Sequence, residues 1–536
     1  MALITRCSMA LSLVGLVAML WAPGACAAPW RITHDHWSHA DEMRFEDFVQ
    51  AIGETNCSSS ESCLRNAANP YRNSDQAFVD VDVDCAKLPY LLRGYFAWKN
   101  GLPFSYASRV SGEDNDLRYT KSANRVAERH DIVDPGEGID APETLRTMLS
   151  SVYSGSYRTD PDDERGLPAD FYSPALRPGS IRRGTIVYDI NGHVGIVYKV
   201  DGDGRIYYMD AHPDFSITRS VYGAQFGQSP MHLGGGFKNW RPFRLVGARR
   251  NSAGHWIGGH IVHAKNAQVP EFSLTQYTGT APNPSADVKK ARFVYDGVAL
   301  GFYEYVRAAV SGGKTSYNPV FELQATMRSL CNDLNDRAQS VDQAIAERVP
   351  EQLHPSKLPD DIYDSHDTIW ESYATPARDA RIRAAFLQFQ RDLGNIIRLW
   401  INRDPRVVYD GHFLRQDLQQ AYAQESQACT VTYLNSTKHP VPLTFDEIAH
   451  RLFRLSFDPY DCIELRWGAT GDERATCTDG AHKLRWYDSE QTMRDRIDRT
   501  AGAPEGTPMH PSVDIKSLID SMGEQVSFQG MIPVGR

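Results

Sequence analysis

The cysteines constrain this chain more than any other feature. Of its nine, Cys7 and Cys26 fall in an N-terminus that reads as an export leader. Arg6 supplies a positive charge, Met9 to Leu20 is apolar, and Ala25-Cys26-Ala27 fits a small-residue cleavage site. Cleavage after Ala27 would place the mature chain in the periplasm or outside the cell; lipidation of Cys26 would instead tether it at its tip. In such an oxidising compartment the other seven cysteines are expected to pair wherever they can. They are Cys57, Cys63, Cys85, Cys331, Cys429, Cys462 and Cys477, and an odd number leaves at least one thiol free. Cys57 and Cys63 share a Ser-rich loop, Cys462 and Cys477 flank a Gly/Thr-rich one, and Cys331 and Cys429 both lie in a helical C-terminal half. Pairing within each couple leaves Cys85.

The surroundings of Cys85 suit a nucleophile. Leu88, Leu91, Leu92, Tyr95 and Phe96 recur at helical spacing, so the stretch after Cys85 predicts a helix with one face on a core. Asp84 is a candidate N-cap, and a thiol at a helix N-terminus is biased towards thiolate. Pro89 is easy only in a first turn, so regular helix begins near Leu88 or is kinked there. Far downstream, Gly184 to Ile190, His193 to Val200 and Arg205 to Ala211 read as three strands. Asn191-Gly192 and Asp201-Gly202-Asp203-Gly204 make the turns between them. If Val200 pairs with Arg205, then Gly195 lies opposite Asp210 and His193 opposite His212. His193, Asp210 and His212 then project from one face, and a one-residue slip would turn that face over. Cys85 as nucleophile, His193 as base and Asp210 as the group that orients the imidazole make a complete set for covalent catalysis. His212 is the alternative third member, able to orient the imidazole but not to neutralise its charge.

Asp84-Cys85 at the head of a helix, followed by Gly184-Thr-Ile-Val-Tyr and Gly192-His193-Val194-Gly195-Ile196-Val197, resembles the papain-like bacterial cell-wall peptidases of the CHAP and NlpC types. That likeness covers about a third of the chain. It implies an α+β fold with a helix-borne cysteine packed on an antiparallel sheet, and hydrolysis of amide bonds in peptidoglycan stem peptides. Ala86-Lys87 departs from the small Ser-Gly pair usual after the NlpC cysteine. A second likeness, through Leu91-Leu92-Arg93, Gly101-Leu102-Pro103 and Met209-Asp210-Ala211-His212-Pro213, is to the transglutaminase-like proteases, which act on proteins. Both imply nucleophile Cys85, base His193 and third residue Asp210. The other class of reading is a non-catalytic wall-binding scaffold.

The domain organisation expected is a leader at 1–27, an N-terminal segment with a disulfide loop at 28–78, a papain-like catalytic domain at 79–250, a linker at 251–280, and a mainly α-helical domain at 281–536. Helices are predicted at Arg44–Ile52, Pro142–Ser151, Ala286–Val310, Val320–Glu347, Ala377–Ile401, Phe413–Ser426 and Phe445–Leu455. The long connection from Ser111 to Pro178 is expected to bring part of Tyr153–Tyr172 over or beside the Cys85 cleft as a lid. His34, Asp35, His36, His39 and Asp41 have metal-ligating side chains, but a solvated segment accounts for them. His255, His260 and His263 read as ordinary exposed or core histidines. No cofactor and no metal are expected. A formal net charge of −10 argues against nucleic acid or an anionic membrane as the partner, and no stretch after the leader is apolar for long enough to cross a bilayer.

Overall fold

Period-two alternation builds the central layer. Strands β3 (Phe171–Tyr172), β4 (Ile186–Asp189), β5 (His193–Val200), β6 (Ile206–Ala211), β7 (Ile217–Val221) and β8 (Gly236–Trp240) form one antiparallel sheet in the order β3-β8-β4-β5-β6-β7. The computed structural model describes residues 29–74, 81–354 apart from 115, 286 and 289, then 369, 373, 376–494 and 513–522. The expected leader, 1–27, lies outside the described residues.

Each face of the sheet packs on helices. Ile186, Tyr188, Val194, Ile196, Met209 and Ala211 share a core with α1 (His39–Gly53), which contributes Phe45, Phe48, Val49 and Ile52. The same core takes Leu88, Leu91, Leu92, Tyr95 and Phe96 from α3 (Lys87–Lys99). Between them, α2 (Ser60–Arg65) carries Cys63, bonded to Cys57. The opposite face, through Val187, Val197, Tyr208 and Phe237, packs on Tyr305, Val306, Ala309 and Val310 of α6 (Phe302–Ser311). At roughly 25 cal/mol per Å² of apolar surface removed from water, these two faces dominate the stability of this half.

The stretch that read as connection begins at the end of β1 (Phe104–Ser111) and contains its hairpin partner β2 (Arg125–Ile132), and α4 (Ala141–Ser151) close to its expected place. Segment 251–280, expected as a linker, is folded onto the sheet. In α5 (Thr275–Thr278), the Gln276 side chain accepts from Phe237 N and donates to Phe237 O, each at 2.9 Å, and Tyr277 Oη donates to Gly235 O at 2.8 Å. The expected helix Arg44–Ile52 begins earlier, at His39, and Phe445–Leu455 ends earlier, at Arg451; a third differs in kind. Ala286–Val310 is not a single helix: strands Phe293–Tyr295 and Val298–Leu300 precede α6. Asp296 and Gly297 both have positive φ, 47° and 79°. They form the Asp-Gly turn that reverses the chain where hydrophobicity alone reads as continuous helix.

The C-terminal region is mainly helical. In α7 (Pro319–Ala346), Asn318 accepts from the amides of Val320 and Phe321, and Pro319 opens the first turn. Its Leu323, Met327, Leu330, Leu334 and Val341 form one stripe. That stripe meets Ile382, Phe386, Phe389 and Leu393 of α8 (Pro376–Ile401) and Leu414 and Leu418 of α9 (Leu414–Ala428). The helices α10 (Phe445–Arg451) and α11 (Ala481–Arg494) complete it. The buried ion pair Arg337–Asp379, at 2.8 Å, ties α7 to α8. All three expected disulfides are present, Cys57–Cys63, Cys331–Cys429 and Cys462–Cys477. Among the described residues Cys85 is the free cysteine, and no helix is long and apolar enough to cross a membrane.

Candidate functional site

The expected strand pairing is present, reached by a different route. Gly195 stands opposite Asp210, but Val200 pairs with Ile206 rather than Arg205. A bulge between Val197 and Lys199 takes up the extra residue, so the face is kept although the turn register differs by one. Asp210 in turn stands opposite Thr218 on β7.

This pairing assembles a buried polar row. His193 Nε2 lies 2.6 Å from Asp210 Oδ2, and Thr218 Oγ1 donates to Asp210 Oδ1, also at 2.6 Å. The same hydroxyl lies 3.0 Å from His212 Nε2. His193, Asp210 and His212 are each about 5% exposed. The neighbouring carboxylate makes Nε2 of His193 the protonated nitrogen, which leaves Nδ1 as the acceptor. Burial and the Arg381 guanidinium hold the His193 imidazole down at about 4, against the pull of Asp210. Burial also keeps His212 neutral, with Arg378 adding to the effect. Asp210 is held well below the usual carboxylate range: although burial opposes it, His212, His193 and Thr218 outweigh that cost. The row is therefore one carboxylate between two neutral imidazoles.

Cys85 lies close by, but its thiol meets backbone rather than the ring. Helix α3 begins at Lys87, two residues after Cys85, with Pro89 inside its first turn. The Asp84 carboxylate accepts from the amides of Ala86 and Lys87, both at 3.1 Å, and so caps the turn that holds Cys85. Cys85 Sγ donates to the Gly192 carbonyl at 3.7 Å, and the Val194 amide also faces the sulfur. The thiol thus touches the main chain on either side of His193. The Gly192 backbone has φ +92°, a value that suits glycine in the Asn191-Gly192 turn. Strand alternation points the His193 ring the same way as Gly195, towards Tyr208 and Phe226. Cys85 instead packs with the core of Val194 and Ile196. The structure brings His193, Asp210 and His212 together and sets Cys85 beside them, without a hydrogen bond from Sγ to the His193 ring. Burial and the Asp84 charge push the thiol up to about 12. A neutral thiol and a neutral imidazole thus lie on opposite faces of the start of β5.

Helices α7 and α8 cover the polar row. Asp333, Asp336, Arg378, Arg381 and Ile382 close on Tyr208, Asp210 and His212, leaving a cavity of only about 20 Å³, room for roughly one water. Arg378 donates to the Asp336 carbonyl at 2.8 Å and to the Ser340 hydroxyl, which in turn donates to Asp214 at 3.1 Å. A larger cavity, about 430 Å³, lies elsewhere between α6, α7, α8 and the end of β7; Ser220, Tyr303, Asp392 and Arg406 are among its lining residues.

Part of the expected lid runs beside Cys85 as packed core. Tyr157 is fully buried. It stacks on Phe171 at 4.9 Å and donates to the Ala86 carbonyl at 2.7 Å. Of the other histidines singled out, His263 Nε2 lies 2.8 Å from Arg129 Nη2. His36 bonds its neighbour Asp35 at 2.8 Å and His34 bonds Thr33 at 3.0 Å. Among the described residues the cluster from His34 to Asp41 does not converge on a point where an ion could sit. Thr218, Arg378 and Arg381 were not anticipated. Continuing the strand alternation one hairpin further would have found Thr218, whereas nothing in the sequence marks the two arginines. No family model, no curated protein and no solved structure matches this chain.

Proposed function

We propose that the chain is an exported cysteine hydrolase of amide bonds, papain-like in organisation, with peptidoglycan stem peptides as substrate, and that the described arrangement is its covered, resting form. The observation that carries the reading is the buried His193–Asp210 bond at 2.6 Å next to the turn whose carbonyl meets the Cys85 thiol, the free cysteine among the described residues. In the working form the Cys85 proton passes to His193 Nδ1. The thiolate then attacks the scissile carbonyl, and the imidazolium, stabilised by Asp210, returns its proton to the leaving amine. Water then hydrolyses the acyl-enzyme. Reaching that form requires His193 Nδ1 and Sγ to meet and the cover of α7 and α8 to loosen. The sulfur lies against the Gly192 and Val194 backbone on the face of β5 away from the His193 ring, so the ring or the turn holding Cys85 has to swing round the end of the strand.

The test is product analysis on purified peptidoglycan with the wild-type chain and Cys85→Ser. New amino termini that appear only with wild type support hydrolysis, and equal release by both chains rejects it. Transfer to added amines on a protein substrate would favour the transglutaminase-like alternative. A scaffold reading is favoured by one observation, the thiol pushed up to about 12, since an unactivated thiol is inert. That reading predicts wall binding without product.

A further inference from the structure

A second buried cluster of histidine and carboxylates lies in the helical region, and the reaction proposed above makes no use of it. His354 Nε2 stands 3.0 Å from Asp458 Oδ2 and 3.8 Å from Asp461 Oδ1, and all three side chains are fully buried. Glu490 on α11, 1% exposed, lies against Asp458. The four residues come from three distant stretches of chain: the segment after α7, the loop before Cys462, and α11.

Hydrogen bonds satisfy only the outward half of this cluster. Asp458 Oδ1 accepts from the Tyr460 amide at 2.8 Å, and Asp461 Oδ2 accepts from Ser456 Oγ at 2.5 Å. No well-aligned hydrogen bond reaches the inward atoms, which are Asp458 Oδ2, Asp461 Oδ1, both oxygens of Glu490 and both ring nitrogens of His354, although Glu490 stands within reach of Asp458 and Trp486. His354 and Asp458 are at contact distance without the alignment of a hydrogen bond. Buried polar atoms are nearly always partnered, and several carboxylates sharing one dry site repel each other unless a cation lies between them or they take up protons. The facing atoms of His354, Asp458 and Asp461 lie within 4.8 Å of one another. Nitrogen and oxygen ligands about 2.0–2.2 Å from a tetrahedral zinc stand roughly 3.4 Å apart, and the two measured separations fall on either side of that value.

We propose that His354, Asp458 and Asp461, whose facing atoms already converge, bind one divalent transition-metal ion of the zinc class as a structural centre, and that Glu490 turns from Asp458 to complete the set. The ligand set is mixed imidazole and carboxylate, which suits zinc, with manganese next. Four protein ligands leave no open position, as in structural rather than catalytic sites. Tyr460 and Trp486 stand over the His354 ring at 5.4 and 4.8 Å between centroids and wall off water. The ion fastens the chain after α7 and the helix α11 to the loop carrying the Cys462–Cys477 disulfide, a second cross-link where the first lies close by.

The experiment uses the full-length exported protein, purified without chelator from medium containing zinc and manganese. Elemental analysis should find about one ion per chain, falling at least tenfold in His354→Ala and in Asp461→Asn. The triple variant His34→Ala/His36→Ala/His39→Ala should keep its metal. Stripping the wild-type chain should lower its thermal midpoint by about 4 °C or more, and adding Zn²⁺ should restore it. Cobalt loaded into the stripped wild-type chain should give the visible absorption of a four-coordinate ion, so the answer does not depend on the variants folding. Wild-type protein with no metal and no thermal response to Zn²⁺ or Mn²⁺ would overturn the proposal and leave shared protons as the neutralising charge. Metal kept by both His354→Ala and Asp461→Asn, or lost from the N-terminal triple variant, would overturn it equally.

Discussion

Two buried histidine–aspartate pairs stand at similar separations in this protein, 2.6 Å for His193–Asp210 and 3.0 Å for His354–Asp458, in opposite surroundings. Around the first, both carboxylate oxygens meet a donor: His193 on Asp210 Oδ2 and Thr218 on Oδ1, with His212 closing the row. Around the second, the inward atoms of three carboxylates and an imidazole make no well-aligned hydrogen bond. Distance alone therefore does not identify what a histidine–carboxylate pair is for. A pair completed by hydrogen bonds orients an imidazole and handles a proton, whereas a pair left incomplete by protein atoms has a place for an ion.

The strongest way to break this contrast is to exchange carboxylate for amide in each cluster. Asp210→Asn should keep the fold and reduce peptidoglycan hydrolysis by about two to four orders of magnitude, by analogy with the serine triad; His212→Ala should cost much less. Asp458→Asn should leave turnover within about twofold while lowering metal content. Equal loss of turnover from Asp210→Asn and Asp458→Asn would show that the two clusters do not divide the work in this way.

A second measurement sharpens the account of Cys85. With the thiol pushed up to about 12 and the imidazole held at about 4, no ion pair exists in the resting form. Alkylation of Cys85, followed by mass spectrometry, should speed up about tenfold per pH unit between pH 6 and 9, as the thiolate fraction rises. A rate that is flat from pH 5 to 8 would mean that a thiolate–imidazolium pair already exists, contrary to the resting form described here. Smaller again is the effect expected at the hydroxyl that completes the first row. Thr218→Val leaves Asp210 Oδ1 without its donor, at a cost of about 1–3 kcal/mol in urea unfolding. A loss below about 0.5 kcal/mol would mean that water replaces the hydroxyl, and that the row is less sealed than its exposure implies.

A last measurement concerns the cover. Burial pushes the Asp336 carboxyl up from 3.8 to about 7. Its contribution to stability is therefore complete below about pH 4 and is lost as pH rises through 7. His193, held down at about 4, acts in the opposite sense: its contribution is present above about pH 6.5 and is lost as pH falls through 4. Asp336→Asn removes only the first dependence. Relative to wild type, the variant should gain up to about 4 kcal/mol at pH 8 and almost nothing at pH 4. A gain that is the same at both pH values would separate Asp336 from the titration of the cover.

The sequence by itself determined whatever depends on counting and on short periods. Seven cysteines beyond the leader-like segment, grouped by local context, led to three disulfides and one free thiol. Alternation from His193 to Asp210 placed both residues on one face, because side chains two apart in a strand must share a side. That result survived an error in the turn, since the bulge after Val197 compensated for pairing Val200 with Ile206. Helix stripes such as Leu323–Met327–Leu330–Leu334 were legible for the same reason.

Tertiary structure decided the rest, because it depends on groups brought together across the chain. The Cys85 thiol turned to the Gly192 carbonyl rather than to the His193 ring, a matter of how α3 approaches the sheet, on which local sequence has no bearing. Arg378 and Arg381 cover the row from more than 150 positions downstream, placed there by the packing of α7 against α8. The cluster of His354, Asp458, Asp461 and Glu490 has no spacing signature at all. Its ligands converge only when the C-terminal core folds around them, and dehydration at that point turns four ordinary polar residues into a site that needs a positive charge.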